Sequence, residues 1–188
     1  MVTIQNWLKN FTHVTDEELE AINEITETTT IAANEAIIKQ GQVSDKIGFL
    51  IQGSTRTIFT DNEGNERVVA FKFEGEPLIV LDSFLNQTPS GVGAVTMEPC
   101  IIVGTDYKRY MAFIKRFPHY NTVLVNALAH WFAEGKDRME YLNQSSAKAR
   151  YEAMCRLQPK IINRVPLKYI ASHLGITQET LSRIRGKK

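Results

Sequence analysis

Two cysteines in 188 residues, Cys100 and Cys155, are too few and too far apart for a disulfide framework or a zinc ribbon. They also cannot supply the roughly four thiolates of an iron–sulfur cluster. Long apolar runs are missing. The stretch at residues 78–81, LIVL, is typical of the longest, far short of the ~20 residues of a membrane helix. Residues 1–14 lack a basic start followed by an apolar core, so no secretory signal is expected. The Asn-x-Ser/Thr triplets at Asn10, Asn86 and Asn143 are accordingly read as chance. No Gly-rich phosphate loop, nucleophile motif or zinc spacing occurs, so neither catalysis nor a cofactor is expected. The expected setting is a reducing cytoplasm, with no membrane.

What is present is ordinary globular chain. A 43% hydrophobic and 23% charged composition argues against disorder, and the length suits one full domain plus a small one. The net charge of +1 hides an asymmetry. Residues 145–188 carry ten Lys and Arg against two Glu, whereas residues 1–144 carry twelve basic and nineteen acidic residues. A basic end on an acidic body attracts a phosphate backbone locally and repels it elsewhere.

The basic end contains PLKYIASHLGITQETLSRIR, residues 166–185. Leu167, Ile170, Ala171 and Leu174 recur at helical spacing, and Gly175 suits the left-handed stop of a helix. Thr177 is a predicted N-cap for a second helix carrying Leu181 and Ile184 inward, with Ile176 plugging the corner. This spacing predicts a helix-turn-helix, whose second helix enters the DNA major groove. The plainer reading is a helical hairpin with a small-residue contact. Against it stand the outward residues Gln178, Glu179, Ser182, Arg183 and Arg185, since Gln, Glu and Arg pair with base edges.

Upstream, Thr15-Asp16-Glu17-Glu18 reads as a capped helix start, followed by Leu19, Ile22 and Ile25 on one stripe. From about Thr28 the pattern turns to short strands separated by Gly-centred turns. Predicted strands cover residues 36–39, 47–51, 55–60 and 67–73, with turns at Gly41, Gly53 and 61–65. A strand pair is expected over 93–105, bent at Pro99. Such spacing indicates a small antiparallel barrel or roll.

The run IIKQGQVSDKIGFLIQGSTRTIFTDNEGNERVVAF resembles the β-roll of the cyclic-nucleotide-binding domain. Roll, long helix and helix-turn-helix in this order resemble the Crp/Fnr family of transcription regulators. The resemblance implies an α+β fold. A double-stranded β-helix, jelly-roll-like, fills residues 1–117, a dimerisation helix 118–144, and an all-α, winged-helix-like helix-turn-helix domain 145–188. With three residues after Arg185, the family's wing is expected to be shortened or absent.

In that family a Gly-Glu pair, a short helix and an Arg-Ser pair form the effector cassette. Gly75 and Glu76 match the first pair, but Ser90-Gly91 stands where Arg-Ser would, and Pro77 replaces an apolar residue. Without that arginine a cyclic phosphate loses a contact worth roughly 1.5–3 kcal/mol, so cyclic AMP is not the expected effector. Gly75, Glu76 and Ser90 remain the effector-pocket candidates. The family's haem sensors use a histidine; His13, His119, His130 and His173 are instead read as surface or packing residues. His173 in particular is expected to be exposed or to touch DNA backbone.

A short helix is predicted over 107–117, then, with Pro118 in its first turn, a long one to about Leu142. Leu124, Leu128, Trp131, Gly135, Arg138 and Leu142 step by four and three like a coiled-coil seam, so they are the expected dimer interface. Val125, Ala129, Phe132 and Met139 form a second stripe, expected to face the roll. A helix buried within one domain is the simpler alternative.

The resemblance places Gln178, Glu179 and Arg183 at base-reading positions, and Lys168, Thr177 and Arg185 at phosphates. Expected partners are double-stranded DNA in a near-palindromic operator, a second copy of the chain, RNA polymerase and an unidentified small-molecule effector. The alternative is a cyclic-nucleotide- or partner-binding signalling module without specific DNA recognition.

Overall fold

The computed structural model describes residues 4–9 and 12–186. Two short helices, α1 (Ile4–Leu8) and α2 (Asp16–Ile25), lead into the roll. At the start of α2, Thr15 accepts from the Glu18 N–H while the Glu18 carboxylate accepts from the Thr15 N–H at 2.8 Å. Two orphan donors are thereby satisfied at once, as the sequence indicated.

Eight strands follow, with one helix among them: β1 (Glu27–Ile31), β2 (Ala36–Ile38), β3 (Lys46–Gln52), β4 (Thr55–Thr60), β5 (Glu66–Lys72), β6 (Pro77–Leu78), α3 (Leu81–Asn86), β7 (Gly93–Thr96) and β8 (Cys100–Asp106). They form two four-stranded antiparallel sheets, ordered β1-β8-β3-β6 and β2-β7-β4-β5. The predicted strand pair over 93–105 is corrected here. β7 pairs with β2 and β4, β8 with β1 and β3, so the bend at Pro99 carries the chain from one sheet to the other. Gly53, at φ +96, makes the β3–β4 turn; a Cβ there would meet the Cys100 sulfur and the Pro99 carbonyl at 2.7 Å. Only glycine fits both the φ and the space.

Helices α4 (Tyr107–Arg116), α5 (Tyr120–Leu142), α6 (Ala147–Leu157), α7 (Pro159–Arg164), α8 (Leu167–Leu174) and α9 (Gln178–Arg185) complete the chain. Pro118 lies just before α5 rather than in its first turn. Between α8 and α9, Gly175 adopts φ +64 and the Ile176 N–H returns to the Ala171 carbonyl, closing α8 in a left-handed cap. Thr177 then caps α9 through its hydroxyl, which accepts from the Thr180 N–H at 3.2 Å. Ile170, Ala171, Leu174 and Leu181 are buried, with Ile176 and Ile184 packed against them.

One hydrophobic core joins the two ends of the chain. Ile58, Val68, Phe71 and Phe73 of the roll cluster with Tyr141 of α5 and with Tyr151, Met154, Ile161 and Leu174 of the C-terminal helices. α8 therefore lies against β5, the edge strand of its sheet. An uncovered edge exposes unpaired backbone groups; here the Val68 N–H donates to the Ser172 hydroxyl at 3.0 Å and the Val68 carbonyl accepts from His173.

Candidate regulatory and nucleic-acid-binding sites

The outward side of α9 matches its expected composition. Thr177, Gln178, Glu179, Ser182, Arg183 and Arg185 are all exposed, as is Lys168 on α8. Arg183 carries no ion pair among the described residues. The Glu179 carboxyl is held below its usual range by its own backbone N–H and by the Thr177 hydroxyl, so it stands as an acceptor at neutral pH. The Thr177 hydroxyl oxygen accepts from the Thr180 N–H at 3.2 Å and lies 3.1 Å from the Thr180 hydroxyl, so its side chain serves the cap before any phosphate. Lys168 rests its ammonium 4.7 Å from the centre of the Tyr169 ring.

His173 departs from expectation. It is 3% exposed, neither a surface residue nor a DNA contact. Its Nδ1 lies 3.2 Å from the Val68 carbonyl, which can only accept, so Nδ1 carries the proton and Nε2 accepts from the Tyr141 hydroxyl. Burial, with the nearby Arg138 charge adding to it, drives its pKa down to about 4, against a smaller opposing effect of the Val68 carbonyl. The ring stays neutral and ties β5, α5 and α8 together. His13 and His119 are exposed, the latter 2.9 Å from Glu18, and the His130 side chain lies outside the described residues.

Two more contacts fasten the C-terminal helices to the roll. Arg164 of α7 grips Glu74 through two nitrogens and reaches Glu98 at 2.7 Å, while the Gly53 N–H donates to the same Glu74 at 3.0 Å. The Arg164 guanidinium holds the Glu74 carboxyl below the usual carboxylate range. Arg56 of β4, buried, stacks 4.2 Å from the centre of the Tyr169 ring and donates to the Thr96 carbonyl. None of these pairs had a signal in the sequence, because the partners lie 21 to 113 residues apart. Arg164→Ala should loosen the docked unit by about 1 kcal/mol, since the group is about a third exposed and screened. Faster tryptic cleavage after Lys148 and Arg150, with the roll intact, is the expected reading.

A cavity of about 640 Å³ lies between the roll, α5 and the α6–α7 junction. Glu76 lines it, with its carboxylate accepting from the Phe73 N–H at 3.1 Å and facing Lys72 at 3.9 Å. Gly75, at φ +87, makes the turn that presents Glu76. Ser90 does not line the cavity. It is 2% exposed, and its hydroxyl donates to the Val92 carbonyl and accepts from the Val92 N–H, locking its own turn. Its place among the pocket candidates is therefore corrected. Cationic side chains in the lining are Lys72, Arg138 and Lys160, anionic ones Glu76 and Asp137.

The two stripes of α5 divide differently from expectation, with Leu128 and Gly135 of the first remaining exposed. Trp131, Gly135, Arg138 and Tyr141 line the cavity, and Leu142 packs on the shared core. Leu124 lines a smaller apolar cavity beside α1 and α2. Val125, Phe132 and Met139, expected to face the roll, are 60%, 81% and 66% exposed. Together with Leu128 and the exposed Gly135 they step by three, four, three and four along the outer face. Ala129 is exposed beside them. Both stripes are apolar and lie side by side, and only the roll's complementary surface selects between them.

Among the described residues no helix is long and apolar enough to cross a membrane, and no cluster of three His, Cys, Asp or Glu could hold a metal. Residues 28–117 match the family model of the cyclic nucleotide-binding domain. No curated protein matches the chain. Among solved structures it is similar to the catabolite activator protein of Thermus thermophilus, at 21% identity over 94% of this chain and 84% of that one, with a TM-score of 0.59. FixK2 from Bradyrhizobium japonicum matches at 14% identity over 87% and 84% of the two chains, TM-score 0.73. The c-di-GMP responsive global regulator CLP of Xanthomonas campestris matches at 14% over 92% and 91%, TM-score 0.72. At such identities the likeness is one of fold. Residues 28–117 thus resemble the cyclic nucleotide-binding domain, in a chain that shares its fold with these solved structures.

Proposed function

We propose that this protein is a homodimeric, sequence-specific DNA-binding transcription regulator of the Crp/Fnr type. The observation that carries the reading is α9. Its inner residues are anchored in the core, and its outer face is an uninterrupted set of exposed side chains able to pair with bases and phosphates. That face sits in the segment with ten basic residues against two acidic ones. One short helix contacts few bases, so specificity calls for two copies about one DNA turn apart. The exposed Val125, Leu128, Phe132, Gly135 and Met139 seam supports self-association, because a three-four repeat on one helix face is complementary to itself.

In this reading residues 1–117 sense, 118–144 pair and 145–188 bind DNA, where RNA polymerase would be engaged. Gln178, Glu179 and Arg183 read bases; Lys168, Ser182 and Arg185 set register on the backbone. A small molecule at the roll would act by changing how α5 and the edge of β5 hold α8, through His173 and Tyr141.

Gel-shift titration against genomic fragments tests the reading. Salt-dependent binding with no preferred sequence would favour the signalling-module alternative. Arg183→Ala should weaken binding to the preferred sequence by about 1–3 kcal/mol while barely changing nonspecific binding. Equal loss on both would remove its base-reading role. Calorimetry with cyclic AMP and cyclic GMP should show no heat; micromolar binding would overturn the reading of a cassette without its arginine.

A further inference from the structure

The inner face of the sheet β1-β8-β3-β6 changes character along its length. Cross-strand partners in an antiparallel sheet point to the same face, and side chains alternate between faces along each strand. Glu27 pairs with Gly104, Gly104 with Gly48, Gly48 with Leu78 and Lys46 with Asp106. These residues therefore share the face that carries Leu50, Cys100 and Ile102 into the core. One end of the face is aliphatic and the other charged. Between them Gly48 and Gly104 lie side by side and leave the backbone bare. A Cβ would stand 2.8 Å from Ile102 Cγ2 at Gly48, and 2.8 Å from the Ile47 carbonyl oxygen at Gly104.

The result is a further cavity of about 350 Å³, walled by Ile31, Ile37, Leu78 and Ile102, with Glu27, Lys46, Asp106 and Arg109 at its charged end. It meets the cavity beside α5 at Ile38 and Leu78, and among the described residues none of α5 lines it. The charged end is balanced. Arg109 of α4 bridges Glu27 at 2.6 Å and Asp106 at 3.3 Å. Lys46 stands across the strand pair from Asp106 and makes no ion pair among the described residues. The side chains of Glu27, Asp106 and Arg109 are 71%, 37% and 47% exposed, so these charges meet solvent at the entrance. An anion entering here finds Lys46 beside two carboxylates, and a cation finds the carboxylates beside Lys46 and Arg109. Both signs carried on one small molecule suit the whole set.

We propose that this cavity binds an aliphatic α-amino acid, with its carboxylate on Lys46 and its ammonium shared by Glu27 and Asp106. The side chain lies over the bare Gly48–Gly104 backbone and reaches Ile102 and Ile37. At about 350 Å³ the space is at the small end of ligand pockets, ~300–1,000 Å³, which suits a molecule of this size. The inference goes beyond the regulatory reading, and depends neither on DNA recognition nor on an occupant beside α5.

The test is calorimetric titration of the full chain with leucine, isoleucine and valine, beside isocaproate, which lacks the ammonium, and isoamylamine, which lacks the carboxylate. At least one amino acid should bind one per chain, about tenfold or more tighter than either analogue, because each analogue forfeits a charge-assisted contact. Lys46→Gln should remove the advantage over isoamylamine. The double variant Glu27→Gln, Asp106→Asn should remove the advantage over isocaproate, and its asparagine still caps α4, as Asp106 does. Unfolding curves for each variant establish that it is folded. Equal affinity for the amino acid and both analogues, or an advantage over isoamylamine that survives Lys46→Gln, overturns the proposal. So does an absence of binding at millimolar amino acid. Binding lost on Arg138→Gln but kept on Lys46→Gln would also overturn it, by moving the ligand to the cavity beside α5. None of these outcomes bears on DNA recognition, which the gel shift decides separately.

Discussion

Phe132→Asp should turn a dimer into a monomer and abolish binding to the preferred DNA sequence, while leaving the fold of each chain unchanged. The residue is 81% exposed in the middle of the outer face of α5, so its removal disturbs no intrachain packing. In a paired helix it would be buried against its counterpart. Burying one phenylalanine is worth about 1.5–3 kcal/mol, and two-fold symmetry counts it twice, so the dimer weakens roughly 10²–10⁴-fold before any charge repulsion is added. Sedimentation at micromolar concentration reads the mass directly. The inner-face variant Leu142→Ala is the contrast: it should lower stability, because Leu142 packs on the shared core, and leave assembly intact. If Phe132→Asp sediments as wild type does, the outer stripe is not the pairing surface. If it becomes a monomer and still binds the preferred sequence undiminished, two-fold reading of DNA is wrong.

Much of this architecture is legible in short-range patterns. The Thr15 capping box, the Gly175 stop, the Thr177 cap and the Gly-centred turns of the roll each depend on residues within five positions, and each stands where the sequence places it. α5 marks the limit. Its two apolar stripes are one residue apart around the helix, Leu124 beside Val125 and Trp131 beside Phe132, and periodicity fixes the stripes without saying which has a partner. The choice belongs to the roll, whose concave side takes Trp131, Arg138 and Tyr141. His173 fails for the same reason. Within its own helix it reads as a polar residue beside a DNA-reading turn, and only the edge of β5, 105 positions earlier, buries it. Ser90 and Glu76 diverge likewise: adjacency to a motif does not say whether a hydroxyl faces the cavity or closes its own turn.

These long-range pairs converge on one joint. Three elements meet at His173: the roll through Val68, α5 through Tyr141, and the two-helix unit through the ring itself. Phe71 packs its ring 5.0 Å from the imidazole, and Ser172 beside it caps the same strand. A change in the roll cannot move α5 without changing what holds α8. The Arg164 contacts to Glu74 and Glu98 act at the other side of the unit and are surface-screened, so the buried ring is the tighter of the two fastenings.

Acid should therefore release that joint. The folded pKa of His173, about 4, lies below the ordinary value of 6.5, so between these two values the unfolded or undocked chain binds a proton that the docked one refuses. Stability rises with pH across this window: the contribution of the neutral ring is complete above about pH 6.5 and is lost as pH falls toward 4. At ~1.4 kcal/mol per pH unit the loss approaches about 3 kcal/mol at the acid end. The groups facing the ring oppose a second charge there. Arg138 is cationic, and Tyr141 hydrogen-bonds the nitrogen that would have to gain the proton. Urea unfolding from pH 7.5 to 4.5 should show a falling midpoint in the wild-type chain. In His173→Gln, which keeps a polar side chain but does not titrate, the curve should start lower at pH 7.5 and be flatter by about 2–3 kcal/mol over the same span. Parallel curves for the two chains would mean that the imidazole is not what acid attacks. Should the pH dependence remain in His173→Gln and vanish in Glu74→Gln, the labile fastening is the Arg164 carboxylate cluster, and the buried ring only positions α8.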